Sequence, residues 1–251
     1  MERSAPPADL RIPYGAGEHQ FGDLRLPTAP GPHPLAIVIH GGFWRARFDL
    51  LHMGHLCAAL ATKGIATWNI EYRRIGHAGG GWPGTCQDVL LAARYVRELP
   101  GEFQPPVVIG YSAGGHLALW LAAQDRSPRG VVSLAGVADL QLAWDMQLSD
   151  GVVRDFLGGL PEDFPEASPA HLPIHVPRRL LHGDADENVP IEIARAYAWA
   201  KRAKGEDVEL IELPGATHYD LIDPESTVWP EVERTILAIS RTVTSSSSSV
   251  V

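Results

Sequence analysis

Short apolar runs alternate with longer stretches of amphipathic spacing along most of the chain. Residues 35–40, 65–70, 107–110, 130–134, 178–182 and 208–213 read as strands. Most are nearly continuous in apolar residues, the pattern of strands buried on both faces. The last alternates, as an edge strand does. Helical spacing occupies residues 51–63, 85–99, 113–124, 191–203 and 229–242, with Gly64 and the pair Pro100-Gly101 as stop signals. This alternation predicts an α/β architecture, a mainly parallel central sheet with helices on both faces. Residues 18–26 are expected to add an antiparallel partner.

One stretch breaks the alternation. Residues 139–177 carry prolines at 161, 165, 169, 173 and 177 and only short helical patterns. The segment is too long for an ordinary connection, and it reads as a short cap insertion over the carboxyl edge of the sheet. No internal repeat or linker is visible. The expected organisation is an N-terminal extension (1–17), a single domain (18–244) containing the cap, and a low-complexity, disordered tail (245–251).

Composition acts mainly by exclusion. A chain of 251 residues, 45% hydrophobic, is large enough for a full core. A net charge of −9 without any basic run argues against a nucleic-acid partner. Uninterrupted apolar stretches reach about six residues, against the ~20 a membrane span requires, and residues 1–7 lack a signal-peptide core. Cys57 and Cys86 are too few for a disulfide framework and belong to no zinc cluster. A cytoplasmic protein without metal is expected.

The chemistry-bearing motif is Gly110-Tyr111-Ser112-Ala113-Gly114, between a strand pattern and a helix pattern. A sharp strand-to-helix turn lifts a serine hydroxyl above the sheet and aims helix N–H groups at a developing anion. Ser112 is therefore the candidate nucleophile. A second glycine pair follows another buried strand, in His40-Gly41-Gly42-Phe43-Trp44.

Together the two motifs resemble an α/β-hydrolase of the esterase branch. The H-G-G-x-W loop is similar to that of kynurenine formamidases and of small carboxylesterases related to hormone-sensitive lipase. The resemblance implies an oxyanion hole from the N–H of Gly42 or Phe43 with that of Ala113, and a loop-bracing role for His40. His182-Gly183-Asp184-Ala185-Asp186-Glu187-Asn188-Val189-Pro190 resembles the H-G-x-x-D-x-x-V-P segment of such hydrolases, which makes Asp186 the triad acid and leaves Asp184 as competitor. Of 11 histidines, His218 alone lies beyond both the acid and a further strand, so it is the candidate base. His52 and His55 have an i, i+3 spacing but no neighbouring carboxylate ligand, and packing is their expected role. Trp44, Trp82, Tyr111 and Trp144 are candidates for the substrate pocket. For the three tryptophans, packing is an equal alternative. His171 and His175 in the cap share that ambiguity.

The resulting reading is a cofactor-free serine hydrolase of small carboxylic esters, short-chain acyl or aryl, acting through an acyl-enzyme. The alternative is an arylformamidase hydrolysing N-formylkynurenine with the same triad. A third, a catalytically silent ligand-binding hydrolase fold, would require a missing triad member. The expected partner is a small ester or formamide, with neither nucleic acid nor membrane. A small cap offering Leu140, Leu142, Trp144, Met146, Phe156, Leu157 and Phe164 predicts a preference for short acyl groups.

Overall fold

The computed structural model describes residues 4–241; the expected tail, 245–251, lies outside them. Eight strands in these residues form one sheet: β1 (Leu10–Pro13), β2 (Phe21–Arg25), β3 (Leu35–Ile39), β4 (Ala66–Ile70), β5 (Val107–Tyr111), β6 (Gly130–Leu134), β7 (Arg178–Gly183) and β8 (Val208–Leu213). Their spatial order is β1-β2-β4-β3-β5-β6-β7-β8. β1 and β2 run antiparallel to their neighbours and the remaining pairs are parallel. The predicted antiparallel partner is β2; β1, only four residues long and largely exposed, is not among the predicted strands. β8 is an edge strand, but its burial does not alternate strictly: Glu209 and Glu212 are exposed, Leu210 and Ile211 half-buried, and Val208 and Leu213 buried.

Helices α1 (Gly54–Thr62), α2 (Gly84–Arg94), α3 (Ala113–Gln124), α4 (Leu140–Asp145), α5 (Val152–Leu157), α6 (Ile191–Arg202) and α7 (Trp229–Arg241) cover the sheet. The central strands are buried along their whole length, so alternate side chains enter two separate cores. Ile37, Ile39 and Val108 pack with α2, α3 and α6, while Val38, Ile109 and Val132 pack with α1 and α7. This is the two-faced arrangement that the apolar runs predict. β3 is followed by β4 on one side and, after α2, by β5 on the other. The chain reverses its direction of travel across the sheet there, and the loops leaving β3 and β5 flank the crevice where ligands of open α/β sheets bind.

The insertion at 139–177 contributes no residue to the cavity that Ser112 lines, and it packs against the loop after β3 through Trp44–Phe156 and Arg45–Ser149. It folds onto the α2–α3 side through α4, α5 and three short 3-10 turns. Leu140, Val152, Val153, Phe156, Leu157 and Ala167 are buried in the same core as Leu117 and Val89. Polar ties fix it there: His116 Nε2 meets Ala167 O at 2.8 Å, and Arg45 donates to Ser149 Oγ and O at 3.2 and 3.1 Å. Leu142, Trp144 and Phe164 are partly buried against this core and Met146 is exposed, and none of them lines the cavity.

Candidate active site

Ser112 stands between β5 and α3 with φ 55° and ψ −120°, a conformation that non-glycine residues rarely adopt. The turn is held because Ser112 N donates to Leu134 O at 2.8 Å and Gly115 N donates back to Ser112 O at 2.8 Å. Its tightness explains Gly114: a Cβ there would sit 2.1 Å from Ile39 O. The serine thus precedes the first turn of α3, where the Ala113 N–H and the helix dipole face the cavity end of the helix.

The loop after β3 lies against this elbow. Gly42, Phe43 and Trp44 all have positive φ (107°, 54° and 55°). Among the described residues, the N–H groups of Gly42, Phe43 and Ala113 donate to no protein acceptor. Beneath the loop is a buried polar network. His40 Nε2 lies 2.9 Å from Glu71 Oε1 and His40 Nδ1 2.8 Å from Gly41 O, and the Tyr72 hydroxyl donates to His40 O at 2.7 Å. Glu71 also accepts from Leu50 N and Tyr72 N and pairs with Arg74 at 3.2 Å. Burial would push the Glu71 carboxyl up, but His40 and Arg74 outweigh it and hold it well below the usual carboxylate range. His40 therefore braces the loop.

Asp186 and His218 are brought together from the loops after β7 and β8, with Asp186 Oδ2 2.7 Å from His218 Nδ1. The other oxygen, Oδ1, accepts from Asn188 N and Val189 N at 2.8 and 2.9 Å. His182 Nε2 lies 3.3 Å from Oδ2. Against the effect of burial, hydrogen bonds from His182, His218 and Val189 hold this carboxyl far below its ordinary value. Asp184, the alternative acid, is exposed and accepts from Gly215 N at 2.6 Å, tying a turn. Ser112 and His218 line one cavity of about 690 Å³, although no hydrogen bond joins Ser112 Oγ to the ring among the described residues. Such bonds often shorten only when substrate is bound.

The cavity wall differs from the one expected. Tyr111 belongs to it, with its ring centroid 4.7 Å from that of His218. Trp44, Trp82 and Trp144 do not. Trp44 is fully buried and stacks on Phe156 at 4.7 Å, and Trp82 packs edge-on against Trp120. Trp144 packs against the core formed with the insertion, and His171 and His175 are exposed. The wall comes instead from Phe43, Phe48, Leu51 and Ile222, from His52 and His55, and from residues 4–8 near the N-terminus.

His52, for which packing is the expected role, also lines the cavity. It is half-buried in the cavity wall, where its Nε2 accepts from Gly41 N at 3.3 Å. Burial, and next the neighbouring His40, lower its pKa to about 3, so it remains a neutral acceptor for the loop. A histidine on the first turn of a helix, close in space to a glycine loop, leaves no one-dimensional signal. His182 opens the H-G-x-x-D motif, so the contact of its ring with Asp186 had a signal. Groups of three or more metal-ligating side chains are absent among the described residues. No helix there is long and apolar enough to cross a membrane.

Comparison with known proteins adds a family model, BD-FAE, that matches residues 23–199. The chain is 28% identical over 250 residues to the esterase LipC of Mycobacterium tuberculosis, covering 86% of this chain and 61% of that protein, so it spans less than two thirds of that relative's length. It is 24% identical over 236 residues to a kynurenine formamidase of Salmo salar, covering 85% and 76%. A solved truncated carbohydrate esterase from gut microbiota superposes with a TM-score of 0.80 at 20% identity, covering 96% of this chain and 99% of that one.

Proposed function

The chain belongs to the BD-FAE family and has the α/β-hydrolase fold, and from that premise we propose that it is a carboxylesterase-type serine hydrolase acting on short-chain acyl or aryl esters. The observation that carries this reading is the buried Asp186–His218 pair at 2.7 Å sharing a cavity with a serine held on a strained elbow. In this reading Ser112 Oγ attacks the acyl carbon while His218 Nε2 takes its proton. Asp186 fixes the ring with Nδ1–H inward and balances the imidazolium that forms. The oxyanion rests on N–H groups of Gly42 or Phe43 and Ala113, each donor worth roughly 3 kcal/mol in hydrolases of this kind. The imidazolium then protonates the departing alcohol, and water, activated by the same ring, releases the acid.

Size and chemistry of the cavity support small esters. About 690 Å³ suits a single small-molecule ligand, and Phe43, Phe48, Tyr111 and Tyr219 offer flat apolar contacts to an aryl group. The two free, buried cysteines fit a cytoplasmic setting. The preference for short acyl groups now rests on this bounded cavity and not on the insertion.

The likeness to kynurenine formamidase supports a second reading, in which the same groups cleave the formyl C–N bond of N-formylkynurenine and His218 protonates the aniline nitrogen. The ratio of kcat/KM for phenyl acetate to that for formanilide tests the choice. A ratio well above one supports the esterase; a ratio well below one transfers the assignment to the formamidase.

A further inference from the structure

The cavity continues from Ser112 past the start of α1 to the antiparallel edge of the sheet, where Arg11, Asp23 and Arg25 line it. The two arginines differ in one respect. Arg11 is neutralised by Asp23, with Nε to Oδ1 at 2.7 Å and Nη2 to Oδ2 at 3.0 Å. Both Asp23 oxygens are thereby engaged.

Arg25 is only 6% exposed, and it forms no ion pair among the described residues. Its Nη2 donates to Pro6 O at 2.8 Å, while Nε and Nη1 are buried without a hydrogen-bond partner among the described residues. A guanidinium cannot shed its charge, and its donors are costly to bury unpaired. This one is held in the cavity wall by β2 and covered by residues 4–8, for which the Arg25–Pro6 bond is the tie to the domain among the described residues. The charged lining is otherwise Arg47 and Asp49, so three arginines face two aspartates in a chain whose net charge is −9. A local cationic excess inside an acidic protein selects for anions.

We propose that Arg25 forms an anion subsite of the hydrolase, binding the carboxylate of a substrate whose other end presents its acyl bond to Ser112. The carboxylate takes the place of the Pro6 carbonyl beneath residues 4–8 and accepts from the free guanidinium donors, a charge-assisted contact stronger than the amide carbonyl provides. The substrate class is therefore an ester or anilide that carries a carboxylate, with its apolar middle against Phe43, Phe48 and Tyr111. This deepens the serine-hydrolase reading, which supplies the reacting end.

Titration calorimetry of the full chain with phenylacetate, 3-phenylpropionate and 4-phenylbutyrate, each beside its primary amide, tests the subsite without turnover. At least one carboxylate is expected to bind tenfold or more tightly than its amide. Arg25→Met abolishes that preference and Arg25→Lys retains part of it. The melting temperature of Arg25→Met does not fall, because a guanidinium kept for a ligand contributes little to the empty fold. Equal binding of acid and amide by the native chain overturns the proposal, as does failure of all three acids to bind at millimolar concentration. A preference that survives in Arg25→Met overturns it too. Should Arg25→Met fail to fold, the native acid-to-amide ratio and the Arg25→Lys variant decide. Hydrolysis of 4-nitrophenyl acetate by the native chain is measured separately: its absence beside a clear carboxylate preference removes the hydrolase reading and leaves the subsite.

Discussion

Gly41 lies so close to Ser112 that a Cβ built on the glycine would come within 2.8 Å of the serine Cβ and 2.8 Å of Tyr111 O. The loop after β3 and the elbow after β5 are thus in van der Waals contact, and the position of one sets the position of the other. Gly41→Ala should displace the loop or the serine by a fraction of an ångström. A misplacement of about 1 Å can cost 10²-fold in rate. We expect kcat for 4-nitrophenyl acetate to fall by about that factor while the circular dichroism spectrum is retained; wild-type kcat would show that the contact is irrelevant to chemistry.

Asp186→Asn keeps the shape of the acid but inverts the hydrogen-bond preference at His218 Nδ1. The ring then sits in the wrong tautomer for a base. Turnover should drop by about 10⁴. KM is expected to change little, because the carboxylate is buried and touches the ring, not the cavity. Steady-state kinetics on a short-chain ester separates the two parameters.

Trp44 belongs to the core, not the pocket. Trp44→Ala should cost about 3–5 kcal/mol in urea unfolding, the usual range for deleting a buried aromatic. The acyl-chain preference of whatever protein remains folded should be unchanged. A shift in that preference with little loss of stability would return Trp44 to the substrate pocket.

Acid stability should depend on Glu71. Its carboxyl is held below the ordinary value of 4.5 in the folded protein, so it contributes stability that is complete above that value. The contribution is lost as pH falls below 4.5 and through the lowered folded value. In Glu71→Gln this pH dependence disappears. Chemical unfolding at pH 7 and pH 3 should therefore show the largest wild-type advantage at pH 7 and a smaller one at pH 3. An advantage that grows toward pH 3 would reverse the sign of the argument.

Strand and helix pattern carried most of the architecture, because apolar runs such as 35–39 and 107–111 have no other way to be satisfied than burial on both faces. Ser112, Asp186 and His218 were legible for a different reason: each sits in a local motif after a strand, and fold order fixes where such loops converge. The packing surface of the insertion was not legible, because proline spacing reveals that helices are short but not which surface they cover. Phe156 stacks on Trp44, more than a hundred positions earlier in the chain. Arg25 and His52 belong to the same class of long-range relationships, since each gains its meaning from Pro6, Gly41 or the cavity and not from its sequence neighbours.

Ser112 is the proposed nucleophile, and a fluorophosphonate reacts with such a group directly. The native chain is incubated with the reagent, digested and mapped by mass spectrometry, in parallel with Ser112→Ala. One stoichiometric adduct on Ser112 is expected, with none in the variant and a loss of 4-nitrophenyl acetate turnover in the variant by about 10³-fold or more. An unlabelled native chain, an adduct on another residue, or a Ser112→Ala variant that still turns over the ester would contradict that role.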